Sequence, residues 1–167
     1  MTETRGPIDH DGLDLRVRPE WIDFNGHMNI AYYVSAFDLA TDNFFRIVTP
    51  EIWDGDVFLG GFYCVDLHVT YERELYQDEP LRITTQLLGV DDKRLHFFHR
   101  MYHAGEGYLA ATNELLFLCV SRETRRAAAM EERYRHAWEA LWRDHGALPK
   151  PPQAGRVMSV KLPKAGA

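Results

Sequence analysis

At 167 residues, 46% of them hydrophobic and 13% aromatic, the chain is one ordinary domain with enough apolar material for a real core. A net charge of −6 argues against a nucleic-acid binder, which needs a basic face, and against an acidic carrier protein as obligate partner. No apolar run approaches the roughly 20 residues of a membrane span and the polar start lacks a signal-peptide pattern, so a cytoplasmic protein without membrane contact is expected.

Residues 1–12 read as a flexible start. Leu13, Leu15 and Val17 alternate with Asp14, Arg16 and Arg18, the pattern of a half-buried strand that Pro19 ends. A polar run fills positions 23–29, and behind it Ile30, Tyr33, Val34, Phe37, Phe44 and Val48 recur at helical spacing. The spacing predicts a helix over 30–48, about 28 Å long at 1.5 Å per residue, enough to cross a small sheet. Pro50 and Asp54-Gly55 close it and open a loop that holds Trp53 and Phe58.

Tyr63, Val65, Leu67, Val69 and Tyr71 alternate with Cys64, Asp66, His68, Thr70 and Glu72, the cleanest strand pattern in the chain. Its apolar face is expected to pack on the helix. Residues 81–90, 95–103 and 108–120 follow as strands, joined through Asp91-Asp92-Lys93 and Ala104-Gly105-Glu106-Gly107. The last strand is apolar on both faces and is expected to be covered on both. Cys64 and Cys119 fall inside strand patterns, where a buried free thiol is the default.

Beyond Ser121 a basic turn leads to a second helix, with Tyr134, Ala137, Trp138, Leu141 and Trp142 on one stripe and Gly146 as its stop. The domain is expected over 13–146, with 147–167 as a tail holding at most one short added strand. One long helix followed by four alternating strands is an α+β pattern, an antiparallel sheet curved around a buried helix. Such a sheet leaves one face and one edge uncovered, and a second copy of the chain would cover them.

The run at 23–29, Asp-Phe-Asn-Gly-His-Met-Asn, concentrates the chemistry. Asp23, Asn25, His27 and Asn29 stand at alternate positions around Gly26, and Asn29 is placed to cap the helix. A loop that feeds a helix N-terminus offers unpaired N–H groups that can hold an oxyanion, here with a carboxylate and an imidazole in reach. A plain polar cap has the same spelling, and spacing alone does not separate the two.

Other constellations carry less. Gly105-x-Gly107-x-x-Ala110 has the letters of a dinucleotide fingerprint but sits in a hairpin and opens no helix. His96 and His99 share a strand with His103, and strand residues four apart lie about 13 Å from each other, too far to share one metal ion. No Gly-x-Ser-x-Gly elbow occurs. Arg122, Arg125 and Arg126 form the densest basic cluster, with Lys93 and Arg94 a second; solvated turns and phosphate contacts both fit them. Glu72 and Glu74 are either a solvated face or a second carboxylate.

The heptad resembles the active-site loop of hotdog-fold thioesterases. In their 4-hydroxybenzoyl-CoA thioesterase-like branch an Asp precedes a Gly-containing turn into the long central helix, and Asp23 and Gly26 match. Asp23, Asn25, His27 and Asn29 also match a run in the acyl-carrier-protein thioesterases of plants. Pro19-Glu20-Trp21-Ile22-Asp23 and Asn25-Gly26-His27-Met28 are similar to the thioesterase domain that follows L-carnitine dehydrogenase and acts on betainyl-CoA. That agreement weakens after Met28, so it implies the reaction class and not the substrate. The resemblance spans about 13–141.

It implies a hotdog fold, hydrolysis of an acyl-CoA thioester, and a homodimer or dimer of dimers with active sites at the dimer interface. Asp23 would be general base or nucleophile; Asn25 would orient water or the carbonyl. His27 would bond the substrate or the carboxylate, and N–H groups near Gly26 and His27 would hold the oxyanion. Asn29 would meet the substrate, Trp53, Phe58 and Phe62 would wall the acyl pocket beside a partner's helix, and Arg122 and Arg125 would hold the CoA phosphates. A thioester carbonyl is electrophilic already, so no metal or organic cofactor is required. The rival readings are a hotdog acyl-thioester hydratase and a silent acyl-CoA-binding module.

Overall fold

The computed structural model describes residues 6–55, 57–58 and 61–160, without the side chains of residues 57 and 58. Helix α1 runs from Ile30–Val48, as its spacing predicts, and Asn29 caps it by accepting the Ala31 N–H at 3.0 Å. Thr49 ends it, with both its N–H and its hydroxyl donated to the Phe45 carbonyl. One stripe of the helix is buried: Tyr33, Ala36, Phe37, Ala40, Thr41, Phe44 and Phe45.

The strands are β1 (Ile8–Asp9), β2 (Trp53–Asp54), β3 (Val57–Phe58), β4 (Phe62–Tyr71), β5 (Leu81–Val90), β6 (Arg94–His103) and β7 (Leu109–Cys119). Five of them form one antiparallel sheet in the order β1-β5-β6-β7-β4, and among the described residues β2 pairs with β3 alone. Asp91 sets the β5–β6 hairpin, its Oδ1 accepting the N–H groups of Lys93 and Arg94. Helix α2 (Glu132–His145) packs on the C-terminal half of α1, with Trp138 edge-on to Phe44 and Phe45 at 5.1 and 5.2 Å. Phe44, Phe97 and Trp138 are fully buried here, each contributing roughly 2–3 kcal/mol by leaving water.

Two apolar clusters fill the space between helix and sheet. One gathers Trp21, Met28, Tyr33, Phe37 and Met101, the other Phe44, Phe45, Phe97, Leu115 and Trp138. Buried polar groups stand with them: His10, Thr85, His99 and Thr41.

Several expectations need correction. Residues 13–17 do not form a strand: Asp11–Leu13 is a 3-10 turn, and only Arg16 bridges, to Pro80. The alternation was nevertheless about burial, because Leu15 and Val17 are buried and the segment bonds residues 78–81. Within the expected flexible start, Ile8–Asp9 pairs with β5 and His10 is buried. The alternation of β4 does not make one face, because a bulge between Cys64 and Asp66 shifts the register, and Tyr63, Val65, Leu67 and Tyr71 are all exposed. β4 is an edge strand; Val69 packs on the first cluster, and Tyr71 meets the start of the helix at Tyr33 and Ile30. For the same reason Cys64 is exposed, and Cys119 is only half-buried. On β7 the outward Leu116 and Leu118 are half-buried while Leu115 and Phe117 are covered.

Gly146 ends α2 in a right-handed conformation; what requires glycine is the Trp142 carbonyl, 2.9 Å from where a Cβ would stand. Beyond it the chain is a strap over the outer face of the sheet. Gln86 Nε2 donates to the Pro149 carbonyl, the Gly155 N–H to Glu114 Oε2 at 2.6 Å, and Arg156 reaches to 4.0 Å from Glu72. No helix among the described residues is long and apolar enough to cross a membrane.

Candidate active site

Residues 22–28 form a narrow loop closed by an antiparallel bridge between Ile22 and Met28. Asp23 N–H donates to the His27 carbonyl and Gly26 N–H to the Asp23 carbonyl, each at 3.0 Å. Gly26 has φ +84°, a left-handed turn that nearly any side chain would strain. The Met28 N–H is anchored on the Leu75 carbonyl at 2.7 Å and the Asn29 N–H on the Trp21 carbonyl at 2.9 Å. The exit of the loop is therefore tied to the segment behind β4, and the cap of α1 to the residue before the loop.

This holds the Asp23 side chain 13% exposed. Its Oδ1 accepts the Asn25 N–H at 2.7 Å, and its Oδ2 lies 3.9 Å from His27 Nδ1. His27 Nδ1 donates to the Met28 carbonyl at 3.3 Å, and Nε2 lies 3.9 Å from Glu74 Oε1. The imidazole thus stands between two carboxylates. Tyr76 fixes the second one by donating its hydroxyl to Glu74 Oε2 at 2.8 Å.

A cleft of about 190 Å³ opens beside His27, walled by Ile30, Tyr33 and Tyr71 and rimmed by Glu72 and Glu74. Asp23 does not line it; His27 is the link between carboxylate and cleft. At the helix start Ala31 N–H is taken by the Asn29 side chain and Tyr32 N–H by the Asn29 carbonyl. Ile30 N–H has no partner among the described residues and belongs to a residue of the cleft wall. Of the N–H groups expected near Gly26 and His27 to hold an oxyanion, that of Gly26 is engaged inside the loop.

The structure brings together only part of the expected site. Asp23, Gly26 and His27 meet; Asn29 is the helix cap, and the Asn25 side chain points into solvent while its backbone N–H bonds Asp23. Trp53 lies under the Arg46 guanidinium, 3.7 Å from its ring centroid, and Phe62 is buried on Phe45. Both are at the far end of α1, about 28 Å from the heptad within one chain. The Phe58 side chain lies outside the described residues. Arg122 lines a second hollow of about 370 Å³ with Phe62 and Cys119, and Arg125 donates to the Tyr63 hydroxyl at 3.4 Å. Sequence reading missed Tyr33 and Ile30, whose helical spacing signals only core, and Phe24, which is 97% exposed next to Asp23.

The three strand histidines go separate ways. His96 bonds Glu114 at 2.7 Å on the outer face, His99 is in the core, and His103 accepts the N–H groups of Gly105 and Glu106. Among the described residues no group of three His, Cys, Asp or Glu side chains is arranged to hold a metal.

The sequence profile of the Thioesterase-like superfamily matches residues 17–138. The chain belongs to this family. This thioesterase-like chain is 35% identical over 144 residues to the betainyl-CoA thioesterase of Pseudomonas aeruginosa, covering 86% of itself and 91% of that protein. It is 33% identical over 146 residues to the L-carnitine dehydrogenase/betainyl-CoA thioesterase of Ruegeria pomeroyi, covering 87% of itself but 29% of that longer protein. A Staphylococcus aureus protein solved in complex with CoA superposes with a TM-score of 0.82 at 24% identity, over 96% of this chain and 99% of that one. A Thermus thermophilus thioesterase complexed with coenzyme A and Zn superposes with a TM-score of 0.64 at 22% identity, over 77% and 91% of the two chains. The thioesterase-like chain accordingly has the α+β hotdog fold.

Proposed function

We propose that the chain hydrolyses an acyl-CoA thioester, with Asp23 as the general base on water or as the nucleophile that forms a mixed anhydride. The observation that carries this reading is the Asp23 carboxylate, mostly buried and held beside His27 at the N-terminus of α1. In the base route Asp23 takes a proton from water as its oxygen adds to the thioester carbon. The oxyanion is met by the Ile30 N–H and the positive end of the α1 dipole. Collapse expels the CoA thiolate, and His27 is the nearest group able to protonate it. In the nucleophile route an Asp23 oxygen bonds the thioester carbon, the C–S bond breaks to release CoA thiolate, and water then cleaves the anhydride to the free acid and the Asp23 carboxylate.

The proposal includes a homodimer paired along the open edge of β4. An antiparallel pairing would bring the Tyr63 end of one copy, with its Arg122 and Arg125, to the Tyr71 end of the other. Two of the remote predicted residues would then serve the CoA phosphates of the neighbouring site. Release of free thiol from a panel of acyl-CoAs tests the function, since a hydratase releases none and a silent binding module binds without turnover. Label from ¹⁸O-water appearing in the Asp23 carboxylate would mark the nucleophile route.

A further inference from the structure

We propose that the strap continues off the edge of the sheet and seats its apolar end, residues 157–160, on the outer face of a second copy of the chain, against the partner's Tyr63 and Leu118. The proposal rests on the dimer paired along β4 in the reading above. The strap crosses the sheet strand by strand. Gln86 of β5 holds the Pro149 carbonyl, Lys150 lies beside Leu88 and His96, and the Gly155 N–H is bonded to Glu114 of β7. Gly155 and Arg156 then line a hollow of about 360 Å³ with Asp66 and His68 of β4, and Arg156 comes to 4.0 Å from Glu72 just past the end of that strand. This succession, β5, β6, β7, β4, is the order of the sheet, so the strap runs across the strands and arrives at the open edge. It is pinned where it arrives: Glu114 accepts the Gly155 N–H at 2.6 Å with one oxygen and meets His96 at 2.7 Å with the other.

Beyond Arg156 the character of the chain changes. Val157, Met158 and Val160 are 81%, 84% and 81% exposed, three apolar side chains within four residues. Single apolar residues on a surface are ordinary, but three together at the rim of an open strand mark a contact. The receiving surface is read from the register. Tyr63 pairs with Leu118 and Cys64 with Phe117; Phe117 belongs to the core, so Tyr63 and Leu118 face outward. Tyr63 is exposed and Leu118 half-buried, an apolar step on the outer face at the start of β4. Arg125, 5.8 Å over the Tyr63 ring, borders it. In an antiparallel β4 pair this start lies beside the partner's Glu72 end, where the strap leaves. Four extended residues reach about 13 Å and two strand spacings are about 10 Å, so the segment can span the neighbouring β4 and β7. Direction, length and polarity agree on a second copy as the occupant, and a two-fold axis makes the seat twice.

The test is the dimer dissociation constant of the full chain, read by sedimentation equilibrium. Met158→Lys acts at both seats at once and should raise the constant about tenfold or more. Leu118→Glu, one strand in from the pairing edge, should raise it as well. Together the two should recover much of the loss, because the new charges meet only if the tail of one copy lies on the other. Met158 is exposed in the single chain, so its substitution leaves the fold alone, and Leu118→Glu sets its carboxylate opposite Arg94 in the β6–β7 register. Circular dichroism checks both. A dimer whose constant Met158→Lys leaves unchanged would overturn the inference and leave the β4 pairing standing. Additive losses in the double variant would overturn the seat at Leu118, and the inference with it. A native chain that sediments as a folded monomer would overturn the β4 dimer itself.

Discussion

His99 Nδ1 and Thr85 Oγ1 lie 2.6 Å apart, and the two residues are also partners in the β5–β6 register. The bond is one link of a buried chain whose donors all point one way. Thr41 donates its hydroxyl to the Phe37 carbonyl, so it accepts from His99 Nε2 at 2.9 Å. His99 Nδ1 must then accept from Thr85, Thr85 accepts from His10 Nε2 at 2.6 Å, and His10 Nδ1 accepts from Asn43 at 2.9 Å. Both histidines are neutral in this arrangement, with the proton on Nε2.

Thr85→Val tests the chain at its centre. The change is nearly isosteric but leaves two buried imidazole nitrogens unpaired, each costing about 1–3 kcal/mol. The expected loss in urea unfolding at pH 7.5 is at least 2 kcal/mol, several times that of an exposed Thr→Val. A loss below 0.5 kcal/mol, roughly the scale of a neutral surface change, would mean the chain contributes nothing net.

The same chain sets a pH dependence. Burial lowers His10 from 6.5 to about 4, against a smaller opposing effect of Asp9 and Asp11; burial, and then the neighbouring His10, hold His99 well below its ordinary value, and burial also lowers His145. The folded state therefore resists protons that the unfolded state accepts. The stability is fully present above pH 6.5 and falls as pH drops through 6.5 towards 4. For His10 alone the difference is worth roughly 3 kcal/mol at the acid end. Urea midpoints measured from pH 7.5 to 4.5 should fall steadily, and His10→Gln should flatten that slope. An unchanged slope in His10→Gln would show that other groups drive it.

Asn29→Ala removes the bond to Ala31 N–H and should cost about 1 kcal/mol. Here the sequence was a good guide. Periodicity placed α1 and the long strands because alternation and helical spacing record which side of an element is dry, and the cap was visible in the residue type. Burial of Leu15 and Val17 was legible too, but not their pairing, since an extended segment and a strand bury alternate residues alike. The cleft was not legible. Tyr33 and Tyr71 come from elements 38 positions apart in sequence and meet only through packing. Trp53 and Phe62 looked like pocket walls because loop aromatics often are; within one chain they stand at the other end of α1, Trp53 against Arg46 and Phe62 on Phe45 beside the second hollow.

Asp23→Asn keeps shape and hydrogen bonding and removes the charge. Thiol release is expected to fall by about 10²–10⁴, with the fold intact. Asn25→Ala should cost less than about tenfold, because the backbone N–H that orients Asp23 survives the change. The ordering is the test. A folded Asp23→Asn enzyme with near-full activity would reduce the carboxylate to a turn residue.

Val65→Asp addresses the assembly. Val65 is 53% exposed at the bulge of β4 between Cys64 and Asp66, on an edge strand of the sheet. A long apolar edge left bare invites uncontrolled pairing, and pairing with a second copy removes the hazard. An aspartate there sets a charge into the apolar edge, and pairing would strip that charge of its water in both copies. Sedimentation at micromolar concentration should show a dimer or a dimer of dimers for the native chain and a shift to monomer for Val65→Asp. Because the CoA-binding arginines are proposed to come from the neighbouring copy, KM should rise with the loss of the dimer. A native chain that sediments as a folded monomer with full activity would remove the neighbour from the site.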